Sequence, residues 1–150
     1  MIASLFYDIY QYILNYPLLV LFLSAFISAT LVPMGSEAIF VMALSETTLA
    51  AWVVITVASL GNTLGGITNY ALGRWLSRYK ASQRSQRRAT EWLRRYGVWA
   101  LLLSWLPVVG DPICVAAGWL RVPAYFAIAM MFIGKMSRYM VLAAIFYHFV

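Results

Sequence analysis

The chain has 150 residues, of which 63% are apolar, 16% aromatic and only 11% charged. A soluble domain needs roughly 25% charged residues to cover itself, so a cytosolic enzyme, a disordered tail and a disulfide scaffold are excluded and an integral membrane protein is expected. Eight of the eleven Lys and Arg lie between Arg74 and Tyr96 beside one acid, Glu91, which leaves the rest of the chain at a net −1 out of +6. So local a balance points to a cytoplasmic loop over 74–96 that attracts anionic lipid heads, not to a nucleic-acid footprint.

Residues 1–16 interleave Phe6, Tyr7, Tyr10, Tyr12 and Tyr16 with Asp8, Gln11 and Asn15, the mixture of an interfacial helix at headgroup depth. The sequence shows no basic n-region and no small-residue cleavage pattern, so no removable signal peptide is expected. From 17 to 45 the chain is apolar apart from an interruption at Pro33-Met34-Gly35-Ser36-Glu37. Neither half reaches the 20 or so residues that a span requires.

Residues 49–73 hold no charge and are predicted to form a transmembrane helix. After the basic loop, 98–121 repeats the earlier pattern, with Pro107-Val108-Val109-Gly110-Asp111-Pro112 as its break. Residues 122–148 can span again but carry Lys135 and Arg138 near the middle. At an offset of 74, Pro33 falls on Pro107, Glu37 on Asp111, Ile39 on Ile113, Val41 on Val115 and Ala43 on Ala117.

The expected fold is therefore one all-α membrane domain over 1–150. It contains two re-entrant helical hairpins, each followed by a transmembrane helix, arranged as an inverted repeat. With the basic loop inside, the first hairpin enters and leaves from outside and the second from inside, and a ligand site lies where the two repeats meet. The alternative topology has each broken segment crossing fully.

Non-helical backbone at membrane depth is tolerated only where protein covers it or water reaches it, so the breaks at Pro33, Gly35, Pro107, Gly110 and Pro112 mark a cavity. Ser36, and Asp111 followed by proline, suit helix N-caps, and two half-helix N-termini directed inward suit an anion such as a phosphate headgroup. Kinked helices simply packed together are the plainer alternative. Glu37, Asp111, Lys135 and Arg138 would together cost about 10 kcal/mol if unpaired at the bilayer centre, so a buried network of balancing sign is expected. It is either a substrate site or a structural salt-bridge cluster.

Asn69 continues the face of Gly61 and Gly65, a small-residue seam for close helix approach. Internal packing is its expected use, and a homodimer seam the alternative. Asn62, Thr63 and Asn69 add polar groups to the cavity wall. One Cys (Cys114) and one His (His148) offer neither a metal set nor a nucleophile–base pair. No metal, cofactor or enzymatic activity is expected.

Several segments together resemble the DedA, or VTT-domain, family of membrane proteins, in its short YqaA-type branch. They are Leu31-Val-Pro-Met-Gly-Ser-Glu37, Gly61-Asn-Thr-Leu-Gly-Gly-Ile-Thr-Asn69 with Gly73-Arg74, Arg95-Tyr-Gly97, Leu103-Ser-Trp-Leu-Pro-Val-Val-Gly-Asp111, Ala117-Gly-Trp-Leu-Arg121 and Gly134-Lys-Met-Ser-Arg-Tyr139. The resemblance implies paired re-entrant hairpins in the bacterial inner (plasma) membrane. It also implies movement of phospholipids or undecaprenyl phosphate across the bilayer, in some relatives linked to the proton motive force. Glu37 is similar to the acid of the family's first hairpin, and Asp111 occupies the second. Ser104 and Gly110 stand where many members have arginine, a departure with two readings: either the cations of this branch are Lys135 and Arg138 instead, or it binds a different lipid.

The expected function is a lipid flippase or scramblase in which Lys135, Arg138 and the half-helix N-termini hold a phosphate-bearing headgroup. Glu37 and Asp111 compensate charge or exchange protons. The alternatives are a non-transporting membrane scaffold with the basic loop as its partner site, or an ion or small-solute carrier.

Overall fold

A computed structural model of the chain describes residues 7, 8, 11, 15–30, 36–46, 48–78, 87–106 and 109–149. The described residues form helices and their connections, with no strand among them. In chain order these are α1 (Pro17–Thr30), α2 (Ser36–Glu46), α3 (Ala51–Leu76), α4 (Arg87–Tyr96), a 3₁₀ helix (Gly97–Trp105), α5 (Gly110–Trp119) and α6 (Ala124–Phe149). The interfacial helix expected over 1–16 falls largely outside the described residues, as do the breaks at Pro33, Gly35 and Pro107.

Helices α3 and α6 have 26 residues each and, among the described residues, are the two long enough and apolar enough to cross a membrane, at about 39 Å apiece. The other elements run to only about 15–21 Å. Polar and small residues let α3 be buried on several sides at once: Ser59, Gly61, Asn62, Gly65, Gly66, Asn69, Tyr70 and Gly73 are all covered. By contrast α6 is covered along one stripe, Ala127, Met131, Lys135, Tyr139 and Ala143, which recurs every fourth residue as one helix face does. The rest of its surface presents large apolar side chains such as Phe126, Ile133, Val141 and Ile145.

Side by side with α3, α1 runs in the same direction. A Cβ on Gly61 would collide with the Phe22 carbonyl and one on Gly65 with Ala29, and farther along Asn69 Nδ2 donates to the Ala29 carbonyl at 2.7 Å. The small-residue seam is thus filled from within the chain. Helix α2 turns back, and its Phe40, Ala43 and Leu44 pack with Leu21, Val54, Ala58 and Ala143. Both α1 and α2 therefore have their outer ends toward the Ala51 end of α3.

The second pair approaches from the other end. A Cβ on Gly73 would strike the Val115 carbonyl, and one on Gly118 would strike the Tyr70 carbonyl and the Arg74 amide, so α3 and α5 cross at reciprocal glycines. The 3₁₀ helix packs where Gly134 of α6 meets the Leu101 and Leu102 carbonyls. The turn into α6 is a Schellman arrangement: Arg121 N–H donates to Gly118 O and Val122 N–H to Ala117 O, both at 3.0 Å. Arg121 takes the left-handed position at φ 55°, where glycine is usual.

The stretch 74–96, expected as a basic loop, includes the end of α3 and all of α4. Ala89 and Leu93 of α4 are buried against Tyr70, Leu101 and Ile113, while Arg88, Glu91, Arg94 and Arg95 face outward. That apolar pair, four residues apart, is what makes the segment a packed amphipathic helix. Gly97 at φ 62° ends it.

Candidate functional site

The middle of α6 gathers the four charged residues singled out from the apolar runs. Glu37, in the first turn of α2, pairs with the Arg138 guanidinium. Asp111, in the first turn of α5, lies 3.7 Å from Lys135 Nζ. Each short helix thus begins by delivering one carboxylate to one cation. Lys135 and Arg138 are three residues apart on one face.

Exposure differs sharply within the set: the Lys135 side chain is 2% exposed and Arg138 13%, against 29% for Asp111 and 30% for Glu37. The cations are the anchored members and the acids the accessible ones. Gly66 makes room for the ammonium, since a Cβ there would stand 3.2 Å from Lys135 Cε.

Lys135 has a second, closer partner, donating to Asn62 Oδ1 on α3. Asn62 and Lys135 each stand about 16 Å from the start of their long helices, near the midpoint of both. From Asn62 the polar contacts continue: Asn62 Nδ2 donates to Tyr139 Oη at 3.1 Å, and Tyr139 Oη donates to Ser36 Oγ at 3.1 Å. Ser28 Oγ also donates to Ser36 Oγ, at 3.3 Å. Asn62, Tyr139, Ser36 and Ser28 are all buried, and Phe40 seals the tyrosine, their ring centroids 4.9 Å apart.

The two expected N-caps behave differently from the sequence reading. Helix α5 starts at Gly110 with Val109 at the cap position and no side-chain capping bond. Val109 is already helical in backbone, so Asp111 sits inside the first turn and turns its carboxylate to Lys135. Pro112 remains harmless there, because first-turn amides lack helical partners anyway. Gly110 is pressed against the Ser104 backbone. Ser36 is the first residue of α2, and its hydroxyl is taken by Tyr139 and Ser28. Asn69 stands beside the Asp111 carboxyl and satisfies a carbonyl at the end of α1.

Two members were not singled out as site residues from sequence. Tyr139 follows Lys135 by four and shares its face, a signal that spacing alone contains. Ser28 carries no such signal, because its role depends on α1 and α2 meeting. Ser104 Oγ is buried with no hydrogen-bond partner among the described residues. The described residues contain no cluster of His, Cys, Asp and Glu able to hold a metal.

Comparison with known proteins places this geometry in a family. The VTT-domain profile matches residues 19–148. The chain is 48% identical over 124 residues to inner membrane protein YqaA of Escherichia coli K12, covering 83% of this chain and 87% of the relative, and equally to that of Shigella flexneri. It is 44% identical over 129 residues to an uncharacterised protein of Haemophilus influenzae, covering 81% and 82%. No solved structure matches. A profile spanning nearly all of the described helices, together with close relatives named for the inner membrane, identifies the chain as a membrane protein of the VTT-domain (DedA) family, in its YqaA-like branch.

Proposed function

We propose that this protein moves a phosphate-bearing lipid across the bacterial inner membrane, with the Glu37–Arg138 and Asp111–Lys135 pairs as its headgroup site. One observation carries the reading: two separate short helices each begin with a carboxylate held against a cation, and both cations lie midway along one membrane-length apolar helix. Charges at that depth are costly, and intramembrane ionisable groups cluster on substrate and ion pathways.

In this reading the first pair of arms (17–45) and the second (98–121) are re-entrant hairpins dipping from opposite leaflets, and α3 and α6 are the spans of an inverted repeat. The basic segment 74–96 faces the cytoplasm. The shortness of the arms, and the return of each pair to the end of α3 from which it came, support this topology.

The chemistry follows from charge balance. Two acids and two cations make a neutral site. A phosphodiester headgroup carries one negative charge, so its entry leaves the site at −1 unless one carboxylate takes up a proton. Protonation of Asp111 or Glu37 releases the opposing cation for the phosphate. Lys135 has three donors and no acceptor. Asn62 takes one donor, and Asp111 at 3.7 Å is beyond a good hydrogen bond, so an anionic oxygen can replace the carboxylate with little lost. At the start of α5 the Gly110 amide already donates to the Leu106 carbonyl and Pro112 has no N–H, so the positive end of the helix dipole, rather than a set of free amides, favours an anion there.

The test is translocation of a labelled phospholipid in vesicles reconstituted with the full chain. Lys135→Ala, Arg138→Ala and Glu37→Gln are each expected to slow it by about tenfold or more, the worth of one hydrogen bond to a charged group. Unchanged rates in all three variants contradict the assignment.

A scaffold role has its own supporting observation: α4 turns Arg88, Arg94, Arg95, Trp92 and Tyr96 outward. If that role is the right one, neutralising these arginines abolishes the cellular phenotype while the mid-membrane substitutions leave it intact. Flux of an ion or small solute without lipid movement would favour a carrier.

A further inference from the structure

The polar contacts at the site form one directed chain, and its direction is fixed by chemistry. Lys135 can only donate, so Asn62 must turn its carbonyl oxygen toward it and its amide N–H₂ toward Tyr139. Tyr139 Oη, having accepted from Asn62, donates to Ser36 Oγ, next in the chain to Glu37. An unbroken series thus runs from the Asp111–Lys135 pair through α3 and α6 to the start of α2, where the Glu37–Arg138 pair stands. Every link is buried: Lys135 is 2% exposed, Asn62 3%, Tyr139 0% and Ser36 0%. Buried hydrogen bonds in series polarise one another, and none of these can be replaced by water without opening the core.

We propose that Asn62 and Tyr139 are positioning residues that couple the two acid–cation pairs, so that loss of charge at Asp111 is felt at Glu37. This inference rests on the reading of both pairs as one working site and adds how its halves communicate. The coupling is by orientation and polarisation, without proton passage, because the Asn62 amide in the middle of the series is not a proton carrier at neutral pH. When Asp111 is neutralised, Lys135 loses its carboxylate and draws more strongly on Asn62. The Asn62–Tyr139–Ser36 series is pulled the same way, and α2 carries the change to the adjacent Glu37. Among the described residues, the charged and titratable groups facing these acids are these: Arg138 faces Glu37, with Tyr139 beside Arg138. Asp111 has Lys135 and the neutral amide of Asn69, and Cys114 lies near both Lys135 and Asp111.

The test is infrared titration of the Glu37 carboxyl in the full chain reconstituted in vesicles, its band assigned by its loss in Glu37→Gln. Asp111→Asn is expected to move the Glu37 midpoint by about half a pH unit or more, as interacting sites do, and Tyr139→Phe is expected to abolish that movement. Ser36→Ala, which removes the acceptor of the Tyr139 hydroxyl, gives the same result and decides the matter should Tyr139→Phe fail to fold. No movement with Asp111→Asn overturns the proposal. An equal movement with and without the Tyr139 hydroxyl also overturns it, since the acids would then interact directly through space. Lipid translocation is read separately: coupling without translocation sinks only the transporter reading, and translocation without coupling sinks only this one.

Discussion

Glu37 and Arg138 show what a charge inside an apolar protein requires. Neither is fully exposed, and each is tolerable there because the other is present. Removing one member leaves the other uncompensated, at about 3 kcal/mol by the insertion scale. Glu37→Gln is therefore expected to lower the unfolding free energy of the detergent-solubilised protein by about 2–3 kcal/mol, while Glu37→Gln combined with Arg138→Met recovers most of the loss. Additive losses in the double variant would show that the pair is not a unit. The four charged residues are legible in sequence because charge in an apolar run is conspicuous. Tyr139 is legible only as a residue four after Lys135 on the same face, its partners appearing when α2, α3 and α6 meet, and Ser28 is not legible at all, because it gains its role only when α1 and α2 meet.

Glycine at helix crossings sets how closely the elements approach. Gly118 lies against the backbone of Tyr70 and Arg74, which cannot yield as a flexible side chain would. Gly118→Val is expected to destabilise the protein by at least about 2–3 kcal/mol, the cost of overpacking, read as a lowered thermal midpoint. Arg121 is the opposite case: its backbone occupies the left-handed region at the end of α5, so Arg121→Gly is expected to raise stability by about 1 kcal/mol. A lowered midpoint would mean that the arginine side chain contributes more than its backbone costs. Periodicity and breaks in the apolar runs locate α3, α6 and the short arms to within a few residues. They miss α4 as a packed helix, because eight basic residues dominate the composition of that stretch and hide the apolar face of Ala89 and Leu93. They also misplace the cap of α5, because the backbone of Val109 is helical although its side chain gives no capping signal.

At the scale of the whole molecule, the proposed function requires the two short pairs to dip into the membrane from opposite faces. Within each pair, one arm approaches the centre and the other returns to the same end of α3, so the carboxylates at the starts of α2 and α5 meet the middle of α6. A chain that instead crossed fully at each break would also bring its charges inside but would end the second pair on the opposite face. Single cysteines at Ser45 and Arg121, introduced after Cys114→Ala and probed in intact cells with a membrane-impermeant thiol reagent, distinguish the two directly. The account predicts labelling of the residue-45 site from the outer face and of the residue-121 site only from the cytoplasmic face. Labelling of both from the same face would contradict it.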